Sequence, residues 1–141
     1  MGDARGVLLD TGPLVAMLSR HDAGHARCAA ALRGLDRLLI SSEAVLTEAM
    51  HLLRLHPEGP DACLEFFHRG GALLVPLNDE RIVRSRQLLR KYADVPMDYA
   101  DATLVCLAEE FGVGSVFTLD LRGFSVYRWK GNRRFTILPE G

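Results

Sequence analysis

Short uninterrupted apolar runs alternate along the chain with stretches whose apolar residues recur every three or four positions. Gly6-Val7-Leu8-Leu9-Asp10 is the first such run and ends on an acid. Arg37-Leu38-Leu39-Ile40-Ser41, Ala72-Leu73-Leu74-Val75-Pro76 and Ser115-Val116-Phe117-Thr118 share its character, and a last edge strand is predicted near Phe135-Thr136-Ile137. Such runs fit strands buried on both faces rather than strands with one wet side. Between them the period is helical. Thr11-Gly12-Pro13 turns the chain into a helix through Leu18, with Pro suited to a first turn. Asp22 is the predicted N-cap of a helix to Leu32, closed by Gly34. Ser42 caps a helix that carries Glu48 and ends before Pro57; another follows from Gly59 to His68 and stops at Gly70-Gly71. Asn78 or Asp79 caps a charged amphipathic helix with Ile82, Val83, Leu88 and Leu89 on its inner face. Pro96-Met97-Asp98 opens the last long helix, towards Glu110.

Strand and helix alternate throughout, which predicts an α/β fold: a three-layer α/β/α sandwich around a mostly parallel sheet. The 141 residues fit one domain, 1–141, with no internal repeat or linker. No run approaches the ~18 apolar residues of a membrane span. The start, Met1-Gly2-Asp3-Ala4-Arg5, carries no signal-peptide pattern, and Cys28, Cys63 and Cys106 sit in apolar helical patterns. Both point to a cytoplasmic protein with reduced, packing cysteines. A net charge of −1 argues against a large nonspecific nucleic-acid surface.

The chemistry lies in the acids. Open parallel sheets bind ligands beyond the carboxyl ends of their strands, and Asp10 and Asp120 fall there. Glu48 has Ala44, Val45 and Leu52 as helical neighbours, and Asp101 has Met97, Leu104 and Val105. Both face apolar surroundings, where an unpaired charge is costly, and the pattern offers no local cation. Taken singly, each has a plain structural explanation. Asp98 and Asp101 resemble a capping box, which accounts for Asp98 better than for Asp101; Asp10 can end a strand, and Glu48 can pair with a distant arginine. Together at one sheet edge they suit a hard cation such as Mg²⁺ or Mn²⁺, whose chemistry is activation of water against a phosphodiester.

Leu8-Leu9-Asp10-Thr11-Gly12-Pro13-Leu14, Thr47-Glu48-Ala49, Asp98-Tyr99-Ala100-Asp101-Ala102 and Thr118-Leu119-Asp120 resemble, in order, the acidic motifs of PIN-domain ribonucleases, in particular VapC-type toxins of toxin–antitoxin pairs. The resemblance spans essentially the whole chain. It implies an endoribonuclease dependent on Mg²⁺ or Mn²⁺, with Asp10 and Asp101 as principal metal ligands and Glu48 and Asp120 completing the site directly or through water. Asp98 occupies a position where some relatives have an acid. Thr11 and Thr118 would support the site or contact the substrate phosphate. A homodimer and a cognate antitoxin are also implied, with interfaces expected on the sparsely charged helices within 14–55. Many relatives carry a further acid where this chain has Gly123, which bears on whether one metal or two are held.

Arg122, Arg128, Lys130, Arg133 and Arg134 surround Tyr127 and Trp129. Two readings stand: a rim that grips RNA phosphates with aromatics for base stacking, and a solvated hairpin whose aromatics pack on the sheet edge. Asp10-Thr11-Gly12 matches an aspartic-protease triplet, but that fold is all-β. His21 and His25 lack a third soft ligand nearby, and no Gly-rich phosphate cradle follows any strand. The alternative to an enzyme is a PIN-like, non-catalytic RNA- or protein-binding module. Which RNA is cut lies in loop and groove detail that spacing does not encode.

Overall fold

A computed structural model describes residues 5–140; residues 1–4 and 141 lie outside the described residues. In chain order the first elements are β1 (Gly6–Leu9), α1 (Thr11–Leu18), α2 (His25–Arg33), β2 (Leu38–Ser42), α3 (Glu43–Leu52), α4 (Gly59–His68) and β3 (Leu73–Val75). They are followed by α5 (Asp79–Lys91), α6 (Tyr99–Phe111), β4 (Ser115–Phe117), α7 (Leu121–Val126), β5 (Arg128–Trp129), β6 (Arg133–Arg134) and β7 (Thr136–Leu138).

The central sheet has the order β3-β2-β1-β4-β7 and all its pairings are parallel. Its middle strand, β1, is buried at every position, with Leu8 opposite both Ile40 and Val116. That is why β1 reads as unbroken Val and Leu: both its faces are covered. The chain leaves β1 towards β2 and β3 and later returns to its other side as β4, so the strand order reverses at the β1/β4 boundary. A crevice opens beyond the carboxyl ends at such a reversal.

α6 fixes what can stand in that crevice. Nine of its thirteen residues are buried, from Ala100 to Ala108, because it packs on β1 and β2 and is flanked by α3 and α5. It ends cleanly at Gly112, whose φ of 66° is the left-handed C-cap that glycine adopts without penalty. Leu8, Leu104, Phe117 and Phe124 are almost wholly buried, and truncating a leucine such as Leu8 to alanine costs ~2–5 kcal/mol.

The predicted caps Ser42 and Asn78 are observed, accepting from the amides of Val45 and Arg81. Two expectations fail. Asp22 does not cap α2, which starts at His25 after Gly24; its carboxylate closes a turn onto the Gly24 amide instead. The inner face of α5 carries Ser85 and Leu88, with Leu89 half-buried, while Ile82 and Val83 are exposed. The stripe continues through Tyr92 just past the helix end, so Ser85, Leu88 and Tyr92 share the face at i, i+3, i+7 spacing. All three cysteines are free and buried, and no described helix is long and apolar enough to cross a membrane.

Candidate acidic site

Asp10 leaves β1 at the reversal point and serves as N-cap of α1. Its Oδ1 accepts from the Thr11 amide at 2.8 Å, and its Oδ2 from the Thr118 hydroxyl at 2.6 Å. Thr118 follows β4, so this bond ties together the ends of the two strands that flank the crevice. The Thr118 oxygen in turn accepts from the Asp120 amide. The Thr11 hydroxyl donates to Oε1 of Glu48 at 2.6 Å, which brings α3 to the same place.

Asp101 comes from the first turn of α6. Asp98 is the N-cap, accepting from the Asp101 amide at 2.8 Å, while Oδ2 of Asp101 accepts from the Asp98 amide. This is the capping box that the sequence resembles, and the helix N-terminus favours the negative charge. The capping box explains why acids stand here, but not why one of them is buried. Asp98 is exposed and Asp101 is only 7 % exposed, because α6 sinks into the core within its first turn.

Electrostatics separate these acids from ordinary surface carboxylates. Burial raises the Asp10 pKa from an ordinary 3.8 to about 6; the bonds from Thr118 and Thr11 oppose that rise, and Asp98 and Glu48 add repulsion. Asp101 rises to about 7, through burial first and then repulsion from Asp98 and Asp10. The ion pairs among the described residues, Arg69–Glu65, Arg81–Glu110 and Arg84–Glu109, involve none of these acids. Among the described residues, no ion pair neutralises the negative charge gathered here.

Asp120 stands further out. It is exposed, N-caps α7 and accepts from the Gly123 amide at 3.1 Å. Among the described residues, no group of three or more His, Cys, Asp or Glu side chains is gathered as a metal site. The donors that fit a cation best are Asp10 and Asp101, all-oxygen and mutually repelling. That suits Mg²⁺, which is held by one or two carboxylates and keeps several waters.

A residue that the pattern did not assign to the site is Tyr127. Its ring is buried and its hydroxyl donates to Oδ2 of Asp101 at 3.0 Å. The signal was there: a tyrosine inside an apolar element needs a partner for its hydroxyl. The aromatics are therefore core rather than a stacking platform, since Tyr127 is 1 % and Trp129 4 % exposed. The basic residues around them divide. Nη1 of Arg128 donates to the backbone carbonyls of Ser125, Val126 and Tyr127, and Lys130 and Arg133 lie over the Trp129 ring. Arg122 and Arg134 are exposed.

A groove of about 700 Å³ opens beside the acids. Glu48 and Asp98 form part of its wall, and it continues along Thr47, Tyr99, Leu77 and Arg81.

The match to the family described as PIN domain runs over residues 7–130, and the chain belongs to that family. It is 28% identical over 135 residues to Ribonuclease VapC26 of Mycobacterium tuberculosis (strain ATCC 25618 / H37Rv), covering 94% of this chain and 100% of that one. Among solved structures it is similar to M. tuberculosis VapC20, described as a sarcin-ricin loop cleaving toxin. The TM-score is 0.74 at 18% identity, with 81% of this chain and 91% of that one covered. It is also similar to VapBC2 from Rickettsia felis bound to a promoter DNA fragment, with a TM-score of 0.66 at 13% identity over 94% of this chain and 98% of that one. These structures share the parallel five-strand sheet flanked by helices.

Proposed function

We propose that this protein is a metal-dependent endoribonuclease that hydrolyses RNA phosphodiester bonds at the Asp10–Asp101 site. The observation that carries the reading is the pair of buried carboxylates at the strand-order reversal, both raised in pKa and with no ion-pair partner among the described residues. The full-length similarity to a protein named a ribonuclease supports RNA as the substrate class.

Asp10 and Asp101 would hold Mg²⁺ or Mn²⁺, with Glu48 and Asp120 contributing directly or through water. When bound, such a cation supplies charge neutralisation, polarisation of a phosphoryl oxygen and activation of water. The remaining work belongs to the chain. Thr118 and the Thr11 amide fix both oxygens of Asp10, so its carboxylate cannot turn away from the crevice. Thr11 also orients Glu48 across the crevice. The exposed Arg122 and Arg134 would attract RNA phosphates, and Lys130 and Arg133 would do so while covering Trp129.

A cognate antitoxin, a homodimer and a cytoplasmic setting belong to the same reading; complexes such as that of R. felis VapBC2 support the first. A non-catalytic binding module is the second reading, favoured by the lack of a third acid gathered with Asp10 and Asp101 among the described residues. Incubation of a structured RNA mixture with Mg²⁺, Mn²⁺ or EDTA separates the two. Cutting that requires metal, and that Asp101→Asn abolishes in a folded protein, is the expected outcome. RNA binding without cutting selects the second reading.

A further inference from the structure

Tyr127, with Gly123 beside it, is aimed at Asp101. The Tyr127 ring is clamped edge-on by Phe124 and Tyr92, with centroids 5.1 Å away in each case. Tyr92 is itself fixed, because its hydroxyl accepts from the Arg128 amide. The phenol therefore points one way, towards Oδ2 of Asp101. The Asp98 amide donates to that same oxygen. Two donors on Oδ2 fix the carboxylate plane, and among the described residues no hydrogen bond reaches Oδ1.

Gly123 makes the space. A Cβ there would stand 2.8 Å from the Tyr127 hydroxyl and 2.5 Å from Oδ2 of Asp120. Any side chain at 123 thus competes with the phenol for its place beside Asp101.

We propose that Tyr127 is a positioning residue, which holds Asp101 through Oδ2 so that Oδ1 is kept for a divalent cation, and that Gly123 is required because the phenol occupies the neighbouring volume. This role rests on the metal-site reading above. A neutral donor then does at this corner what a further carboxylate could not: it orients Asp101 without adding repulsion to an already crowded set of acids.

The test is Mn²⁺ binding by calorimetry on RNA-free wild type, Tyr127→Phe and Asp101→Asn, with melting temperatures recorded for each. Loss of a group that orients a metal ligand weakens metal affinity about 10- to 100-fold, and at least a tenfold weakening is expected for Tyr127→Phe, with binding lost in Asp101→Asn. A merely structural tyrosine would lower the melting temperature and leave the Mn²⁺ affinity of the folded variant unchanged; that result overturns the role. Should Tyr127→Phe not fold, Gly123→Ala keeps the ring while displacing its hydroxyl. Asp120→Asn measured beside it removes that carboxylate's share. An affinity in Gly123→Ala no weaker than in Asp120→Asn is equally contrary. A wild type with no saturable Mn²⁺ binding sinks the metal-site reading itself and this role with it, whereas equal binding by wild type and Tyr127→Phe sinks the role alone.

Discussion

Replacing Asp101 with asparagine should make the metal-free protein more stable at pH 8, although it removes a residue central to the site. Asparagine is nearly isosteric, can accept from the Tyr127 hydroxyl and the Asp98 amide, and carries no charge. In the folded chain the Asp101 pKa rises from 3.8 to about 7. A carboxyl whose folded pKa is raised binds its proton more tightly in the native state, so its contribution to stability is full below about 4. It is lost as pH climbs through the window to 7. At ~1.4 kcal/mol per pH unit the ceiling on that loss is ~4 kcal/mol. Partial relaxation of the buried site brings the expected gain from Asp101→Asn to ~2–3 kcal/mol at pH 8, falling towards zero at pH 4. With a urea slope of ~1–3 kcal/mol/M, the unfolding midpoint in EDTA should move up by ~1–2 M at pH 8. Wild type and variant should converge as the pH falls. Asp101→Asn equal to or below wild type at pH 8, or a gain that does not depend on pH, would refute the claim that this carboxylate is held charged against its surroundings.

Saturating Mn²⁺ should raise the melting temperature of the wild type at neutral pH and leave Asp10→Asn unmoved; at 100 times the dissociation constant the stabilisation is ~2.7 kcal/mol. Thr118→Val removes the donor to Asp10 Oδ2 and the acceptor for the Asp120 amide, so cleavage should fall ~10- to 100-fold with the fold retained by circular dichroism. The same change removes a bond that lowers the Asp10 pKa, and the acid limb of the pH–rate profile should shift upward. Arg134→Ala and Arg122→Ala should each lessen the salt dependence of RNA binding by ~1 in slope. Arg128→Ala should lessen it by less than either, since Nη1 of that guanidinium is tethered to backbone carbonyls.

Strands β1 to β4 were legible because each is an apolar run bounded by glycine, proline, serine or an acid, whereas β5 and β6, Arg128–Trp129 and Arg133–Arg134, carry no such run. Asp10 and Asp101 were legible for a related reason: a carboxylate amid an apolar pattern cannot be ignored. The face of α5 was not. That helix is so rich in charge that its pattern points to Ile82 and Val83 for the inner stripe, yet the small Ser85 lies inside, on a helix that packs against α6. Tyr127 was legible only as one of two alternatives, a stacking aromatic or one packed at the sheet edge, because its partner lies 26 positions away along the chain. Spacing within one element carries no trace of such a bond. The same limit applies to Thr118, whose bond to Asp10 spans 108 positions.

The central claim is that Asp10 and Asp101 hold a divalent cation for RNA hydrolysis. Its most direct measurement is single-turnover cleavage of RNA by protein refolded from denaturant, which frees it of any co-purified inhibitor, across a Mn²⁺ titration and with Asp10→Asn and Asp101→Asn in parallel. Cutting that saturates with Mn²⁺ and is lost in both variants is the predicted result. Cutting that persists in EDTA, or in either folded variant, would contradict it.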